Sequence, residues 1–205
     1  CGHSVMLTGV HADQHGIIAN EWIDRTTLQQ VSCVGDDTAP IVGLPPPSRP
    51  PVAGLDNPYL GRSARSLLAS TVGDELKLAR GGRPKVFGVS IKDRSAILMA
   101  GRRADAAYFM EEGRMVSSTY YLAQVPDWVA GWNEAKKVDA YFGRVWDRVL
   151  PEAAYAQQGP DDMPNELALY GLGRTLPKRI DGGETTPGPK FASAFENSPF
   201  QSEVL

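Results

Sequence analysis

The sequence predicts an α/β fold, on three observations. An amphipathic run ends in a Gly-Gly turn and leads directly into an apolar, partly β-branched run, which is half of a β-α-β unit. That apolar run, Val86-Phe87-Gly88-Val89-Ser90-Ile91, has the length and composition of a buried core strand. Further on, two strand-like segments flank Glu111-Glu112-Gly113-Arg114 and read as a hairpin.

Taken in order, residues 3–9 carry a short helical pattern stopped by Gly9. A polar loop runs through His15-Gly16. Ile17 to Ile23 is extended, and Val31 to Val34 is a second strand that pairs with it across a polar turn near Arg25 to Thr27. Residues 36–62 hold Pro40, Pro45, Pro46, Pro47, Pro50, Pro51 and Pro58, which remove amide donors and set φ, so a surface loop with polyproline character is expected. A helix follows, capped by Ser63, with Leu67, Leu68, Val72, Leu76 and Ala79 on one face, stopped by Gly81-Gly82 and Pro84. The strand comes next, then an apolar short helix or turn over 95–101. Ala106–Met110 and Met115–Tyr121 are the hairpin strands. Pro126-Asp127-Trp128 opens a helix to about Ala135, with Pro at a tolerated first-turn position. Val145 to Val149 reads as a strand. From 151 to 197 the chain is polar, rich in Gly and Pro, and reads as an excursion from the main sheet.

Composition narrows the function. At 205 residues and 42% hydrophobic the chain can build a core. A net charge of −3 with scattered Lys and Arg argues against nucleic acid as a main partner. No apolar run approaches the ~20 residues that span a bilayer. Cys1 and Cys33 fit either a disulfide or two thiols. Neither end reads as a natural terminus, so the chain is expected to be an internal fragment of a longer protein.

Lys92 and Arg94 follow the strand two residues apart. In extended backbone such positions point to one side, so two cations are expected to converge past the carboxyl end of a core strand, where ligands bind in open α/β sheets. A phosphoryl group suits them, because Arg offers a planar donor fork and Lys a point charge. The other reading is a solvated strand end with Asp93 as counter-ion. Asn20 is a polar residue among apolar ones, and its amide can donate to a phosphoryl oxygen; a turn or strand-edge role fits it as well. His11 and His15 have helical zinc-ligand spacing but sit among loop residues, where they read as satisfying hydrogen bonds near a turn. Lys92 with Tyr120 forms no distinctive base pair. A Gly-x-Ser-x-Gly elbow and a Gly-rich phosphate loop are both absent.

The residues together carry a family resemblance. Gly2-His3-Ser4-Val5-Met6-Leu7-Thr8-Gly9, His15-Gly16-Ile17 and Asn20-Glu21-Trp22 resemble the segment after the nucleophile in the type I phosphodiesterase/nucleotide pyrophosphatase branch of the alkaline phosphatase superfamily. Ser66 to Leu76, Ser90-Ile91-Lys92-Asp93-Arg94-Ser95-Ala96, Ala104 to Tyr108 and Ser118 to Tyr121 are similar to its bacterial phosphate-irrepressible, Thr-nucleophile subgroup. The resemblance spans residues 2–146 and resumes at Phe195 to Phe200.

It implies part of an alkaline-phosphatase-like α/β/α sandwich, with an inserted cap-like region over 102–194 that includes a hairpin at 106–121. It implies a zinc-dependent monoesterase acting through a covalent phospho-threonine, in the periplasm or secreted, on small-molecule phosphate esters. Asn20, Lys92 and Arg94 would contact the phosphoryl group, and two cations favour a dianionic monoester over a monoanionic diester. The nucleophile would lie two positions before Cys1. The three Asp and three His that hold two zinc ions in the family have no match here, so the fragment alone is expected to be inactive. A phosphodiesterase or nucleotide pyrophosphatase of the same superfamily, and a non-catalytic binding module, are the alternatives.

Overall fold

The computed structural model describes residues 2–46 and 60–204. Residues 47–59 of the expected polyproline stretch, Pro47, Pro50, Pro51 and Pro58 included, lie outside the described residues. Contacts divide the chain into two compact units, Cys1–Glu111 with Met115–Trp132, and Glu112–Arg114 with Asn133–Leu205.

In the first unit the order is α1 (Gly2–Thr8), α2 (Ala12–His15), β1 (Glu21–Ile23), β2 (Gln30–Ser32), β3 (Ile41–Val42), α3 (Val72–Ala79), β4 (Phe87–Val89), α4 (Asp93–Ala100), β5 (Ala106–Glu111), β6 (Arg114–Ser118) and α5 (Asp127–Glu134). β1 and β2 form an antiparallel pair, Glu21 opposite Ser32. The main sheet has the order β3-β6-β5-β4. β4 runs parallel to β5, Phe87 opposite Ala106 and Val89 opposite Tyr108, and α4 connects them as a β-α-β unit, one step later in the chain than the helix-to-strand half-unit the sequence predicts.

β5 is apolar and buried from Ala106 to Met110 because both faces of it are covered. Ala107 and Phe109 pack with Ala96, Ile97, Leu98 and Ala100 of α4 on one face. Ala106 and Tyr108 pack with Met115 and Val129 of α5 on the other. The hairpin turn is Glu112-Gly113, both at positive φ (51° and 73°), the backbone that a two-residue turn requires.

Three expectations change. The helix expected from Ser63 starts at Thr71: the Thr71 hydroxyl accepts from the Asp74 N–H (3.1 Å), and the Asp74 carboxylate accepts from the Thr71 N–H (2.9 Å). Ser63 instead donates to Asp36 Oδ2 at 2.7 Å, and of the expected apolar face only Leu67 is buried, Leu68 and Val72 being 67% and 66% exposed. The core strand is short: Gly88 faces α4, while Phe87 and Val89 are more than half exposed on the other side. His11 is the N-cap of the short helix α2 and His15 its last residue, rather than both lying in a loop.

Loops around the sheet are fastened by carboxylates. Buried Asp74 also accepts from the Arg102 and Arg103 N–H groups, tying α3 to the turn after α4. Asp105 accepts from Lys77 Nζ (2.6 Å), Lys85 Nζ (3.0 Å) and the Val86 N–H (2.9 Å). The Lys77 hydrogen bond, against the opposing cost of desolvation and with help from Val86 and Lys85, holds the Asp105 carboxyl well below the usual carboxylate range. A depressed folded-state pKa means that its stabilisation is full above the unfolded value of ~3.9 and is lost as pH falls towards the folded value. Asp105→Asn is therefore expected to lower stability at neutral pH and to flatten its decline in acid, read as urea midpoints across the acid range.

The second unit holds β7 (Val145–Trp146), antiparallel to β8 (Lys178–Arg179), and α6 (Pro189–Glu196). The strand expected over 145–149 ends at Trp146, and Val149 is 91% exposed. The 151–197 excursion contains a true amphipathic helix, because Phe191 and Phe195 are four apart and both buried on one face of α6. Their rings pack with Phe142 and Tyr141 at centroid distances of 5.2 Å. β5 and most of β6, part of the region expected as an insert, belong to the first unit because β5 is the parallel partner of β4.

Candidate functional site

The site is built where β4 gives way to α4. Hydrogen bonding to β5 continues past the strand, Ser90 N–H to Tyr108 C=O (3.1 Å) and Met110 N–H to Ile91 C=O (3.0 Å), and the chain bends at Ile91 into α4. Lys92 is the N-cap of α4 (φ −93°, ψ 136°), and its carbonyl accepts from the Ser95 and Ala96 N–H groups. Arg94 is already inside the first helical turn.

The expected strand-like placement of Lys92 and Arg94 is thus corrected. Both stand at the N-terminal turn of α4, Lys92 as its N-cap and Arg94 as its second residue, and not on alternate positions of a strand. The location gains from this: a helix N-terminus at the carboxyl end of a parallel strand carries unpaired N–H groups and positive dipole. Tyr120, considered beside Lys92, donates to the Arg102 carbonyl (3.2 Å), beyond the other end of α4.

Asp93 lies between the cations. Its Oδ1 accepts from the Arg94 N–H (2.6 Å) and stands 3.9 Å from Arg94 Nη1. Its Oδ2 takes a 2.7 Å ion pair from Arg62 Nε. Arg62 comes from a segment 31 positions earlier, so no local pattern signals it.

Asn20 precedes β1 and is exposed; its carbonyl accepts from the Cys33 N–H at 2.8 Å. Cys33 is a buried free thiol. Burial pushes it up first, the charge of Asp93 adds to this and that of Arg94 opposes it, so both α4 residues are within electrostatic reach of Cys33. α1, which would follow the expected nucleophile, packs against α4.

The histidines take structural places. His15 is fully buried and its Nδ1 accepts from the Ile17 N–H at 3.1 Å, while His11 is exposed. Among the described residues no three His, Cys, Asp or Glu side chains converge as a metal site.

The family model described as type I phosphodiesterase / nucleotide pyrophosphatase matches residues 1–170. The chain belongs to this family.

As a type I phosphodiesterase / nucleotide pyrophosphatase family member, it is 37% identical over 173 residues to alkaline phosphatase PhoV of Synechococcus elongatus, covering 83% of this chain and 30% of that one. It is 32% identical over 170 residues to alkaline phosphatase PafA of Elizabethkingia meningoseptica, covering 82% and 29%. The crystal structure of wild-type PafA superimposes with a TM-score of 0.73 at 29% identity, over 99% of this chain and 37% of that one. The chain therefore spans about a third of the length of the relatives it matches, and its fold is that of the corresponding part of an alkaline-phosphatase-like α/β protein.

Proposed function

We propose that the protein containing this chain hydrolyses phosphate monoesters, and that this chain supplies the phosphate-holding side of the site. One observation carries the reading: Lys92 and Arg94 stand together at the N-terminus of α4, where the β4 strand delivers them. Four alkaline phosphatases among the relatives support a phosphoesterase, as does the family itself. A solved PafA variant substituted at one Thr, one Asn, one Lys and one Arg supports the residue choice, since its Lys and Arg are also separated by a single residue.

In this reading Arg94 donates its planar fork and Lys92 its ammonium to the non-bridging oxygens of the transferred phosphoryl, while the Asn20 amide donates to a third. The α4 N–H groups add fixed dipoles. These groups orient the phosphoryl and stabilise the charge that spreads over its equatorial oxygens.

The nucleophile is placed outside the chain, as a Thr two positions before Cys1. The Thr-to-Asn separation in the PafA variant, counted back from Asn20, ends there. Two zinc ions are part of the proposal for the intact enzyme, where they would activate the hydroxyl; the described residues do not fit a zinc site, so no step is derived through them. Of the cap-like insert expected over 102–194, with its hairpin at 106–121, residues 133–194 fall in the second unit and are read as its body, and the location is read as periplasmic or secreted. No described helix is long and apolar enough to cross a membrane.

The reading predicts that the intact protein turns over p-nitrophenyl phosphate faster than bis-p-nitrophenyl phosphate. Paired cations favour the dianion, and a dominant diesterase activity would sink the monoester assignment in favour of the diesterase alternative.

A further inference from the structure

Asp93 puts a carboxylate beside the two cations that are meant to hold an anion. Left alone it would turn to Arg94, whose Nη1 is already 3.9 Å away, and neutralise it. Arg62 prevents this by occupying Oδ2 at 2.7 Å. Both partners are largely buried, with side chains 14% and 16% exposed, so the pair is screened little by solvent.

Arg62 is itself rigidly presented. Its N–H donates to the Ala39 carbonyl (3.0 Å), the Asp36 N–H to the Gly61 carbonyl (2.9 Å), and the Ser63 N–H to the Val34 carbonyl (2.8 Å). Arg62 Nη1 donates to the Leu60 carbonyl at 2.7 Å. Residue 61 must be Gly for this clamp, since a Cβ there would stand 2.0 Å from the Asp36 carbonyl oxygen.

From this geometry we infer that Arg62 and Asp93 are positioning residues for the phosphate site: Arg62 sequesters the Asp93 carboxylate so that the charge of Arg94 stays available to a dianionic phosphoryl group. The inference rests on the phosphate role of Arg94 proposed above. Asp93 is retained in this arrangement because its Oδ1 fixes the Arg94 N–H and, with it, the first turn of α4.

The test is a charge cycle in the intact protein. Arg62→Ala should lower kcat/KM for p-nitrophenyl phosphate by about tenfold, the scale of one charge-assisted hydrogen bond, and lower it less for the monoanionic diester. Adding Asp93→Asn should restore the rate to within about threefold of wild type, because the released group is then neutral and its oxygen still accepts from Arg94. Asp93→Asn alone should tighten inhibition by inorganic phosphate, and it decides the matter if Arg62→Ala does not fold. A double variant no better than Arg62→Ala, or an Asp93→Asn enzyme that binds phosphate more weakly, overturns the inference and leaves the pair a structural tie. If Arg94→Ala itself is without effect, the phosphate reading fails first, so the two failures are distinguishable.

Discussion

Replacing Arg94 with Ala in the intact protein is expected to cut monoester turnover by about a hundredfold or more, the range seen when one preorganised donor to a transition-state oxygen is removed. Arg94 is held in the first turn of α4 by its own N–H to Asp93, just past a strand paired with β5. The backbone that carries the donor fork is therefore fixed before substrate arrives, and positioned groups gain their effect from such ordering. Lys92→Ala should lose turnover strongly too, and the double variant less than the product of the singles, because both act on one phosphoryl group. Arg94→Lys should recover only part of the activity, since an ammonium cannot reproduce two parallel donors. Steady-state rates and inhibition by inorganic phosphate check this, and unchanged rates in both alanine variants would refute the assignment.

Gly88→Val is expected to be the most disruptive core substitution. A Cβ at residue 88 would lie 2.3 Å from the Ala96 carbonyl oxygen and 2.8 Å from the Ala100 Cβ. The first of these atoms is helix backbone and cannot swing aside, so β4 and α4 must separate. The cost should be about 3 kcal/mol or more, at the upper end of overpacking, with a lower urea midpoint. Activity should fall with it, because the same displacement moves Lys92 and Arg94. Gly131→Ala is the control: it lies within α5, its Cβ would meet nothing within 4 Å, and stability should rise by about 0.5–1 kcal/mol. A Gly88→Val protein as stable as wild type would show that α4 is not packed on β4 as described.

Much of the frame was legible because it rests on local patterns. The strand at 87–89, the hairpin turn at Glu112-Gly113 and the helix opened by Pro126 follow from apolar spacing and turn chemistry, which act within a few residues. Boundaries were less legible. The leucines after Ser63 mimic a helix, but Ser63 is recruited by Asp36, 27 positions away, and the competing capping box at Thr71 and Asp74 sets the start. α6 was obscured because only two aromatics mark its buried face in a Gly- and Pro-rich region.

Lys92, Arg94 and Asn20 could be chosen from residue type and family resemblance alone, since cations and an amide near a strand end suit a phosphoryl group whatever their backbone. The sequence by itself thus determined the family, the α/β class and which side chains are candidates. Tertiary structure decided how the two cations are presented: on a helix N-terminus rather than a strand, with Arg62 paired to the Asp93 carboxylate beside Arg94. The physical reason is distance along the chain. Periodicity and capping are read within one or two turns, whereas the ion pair that balances charge at the head of α4 joins residues 31 positions apart, and only the folded chain brings them together.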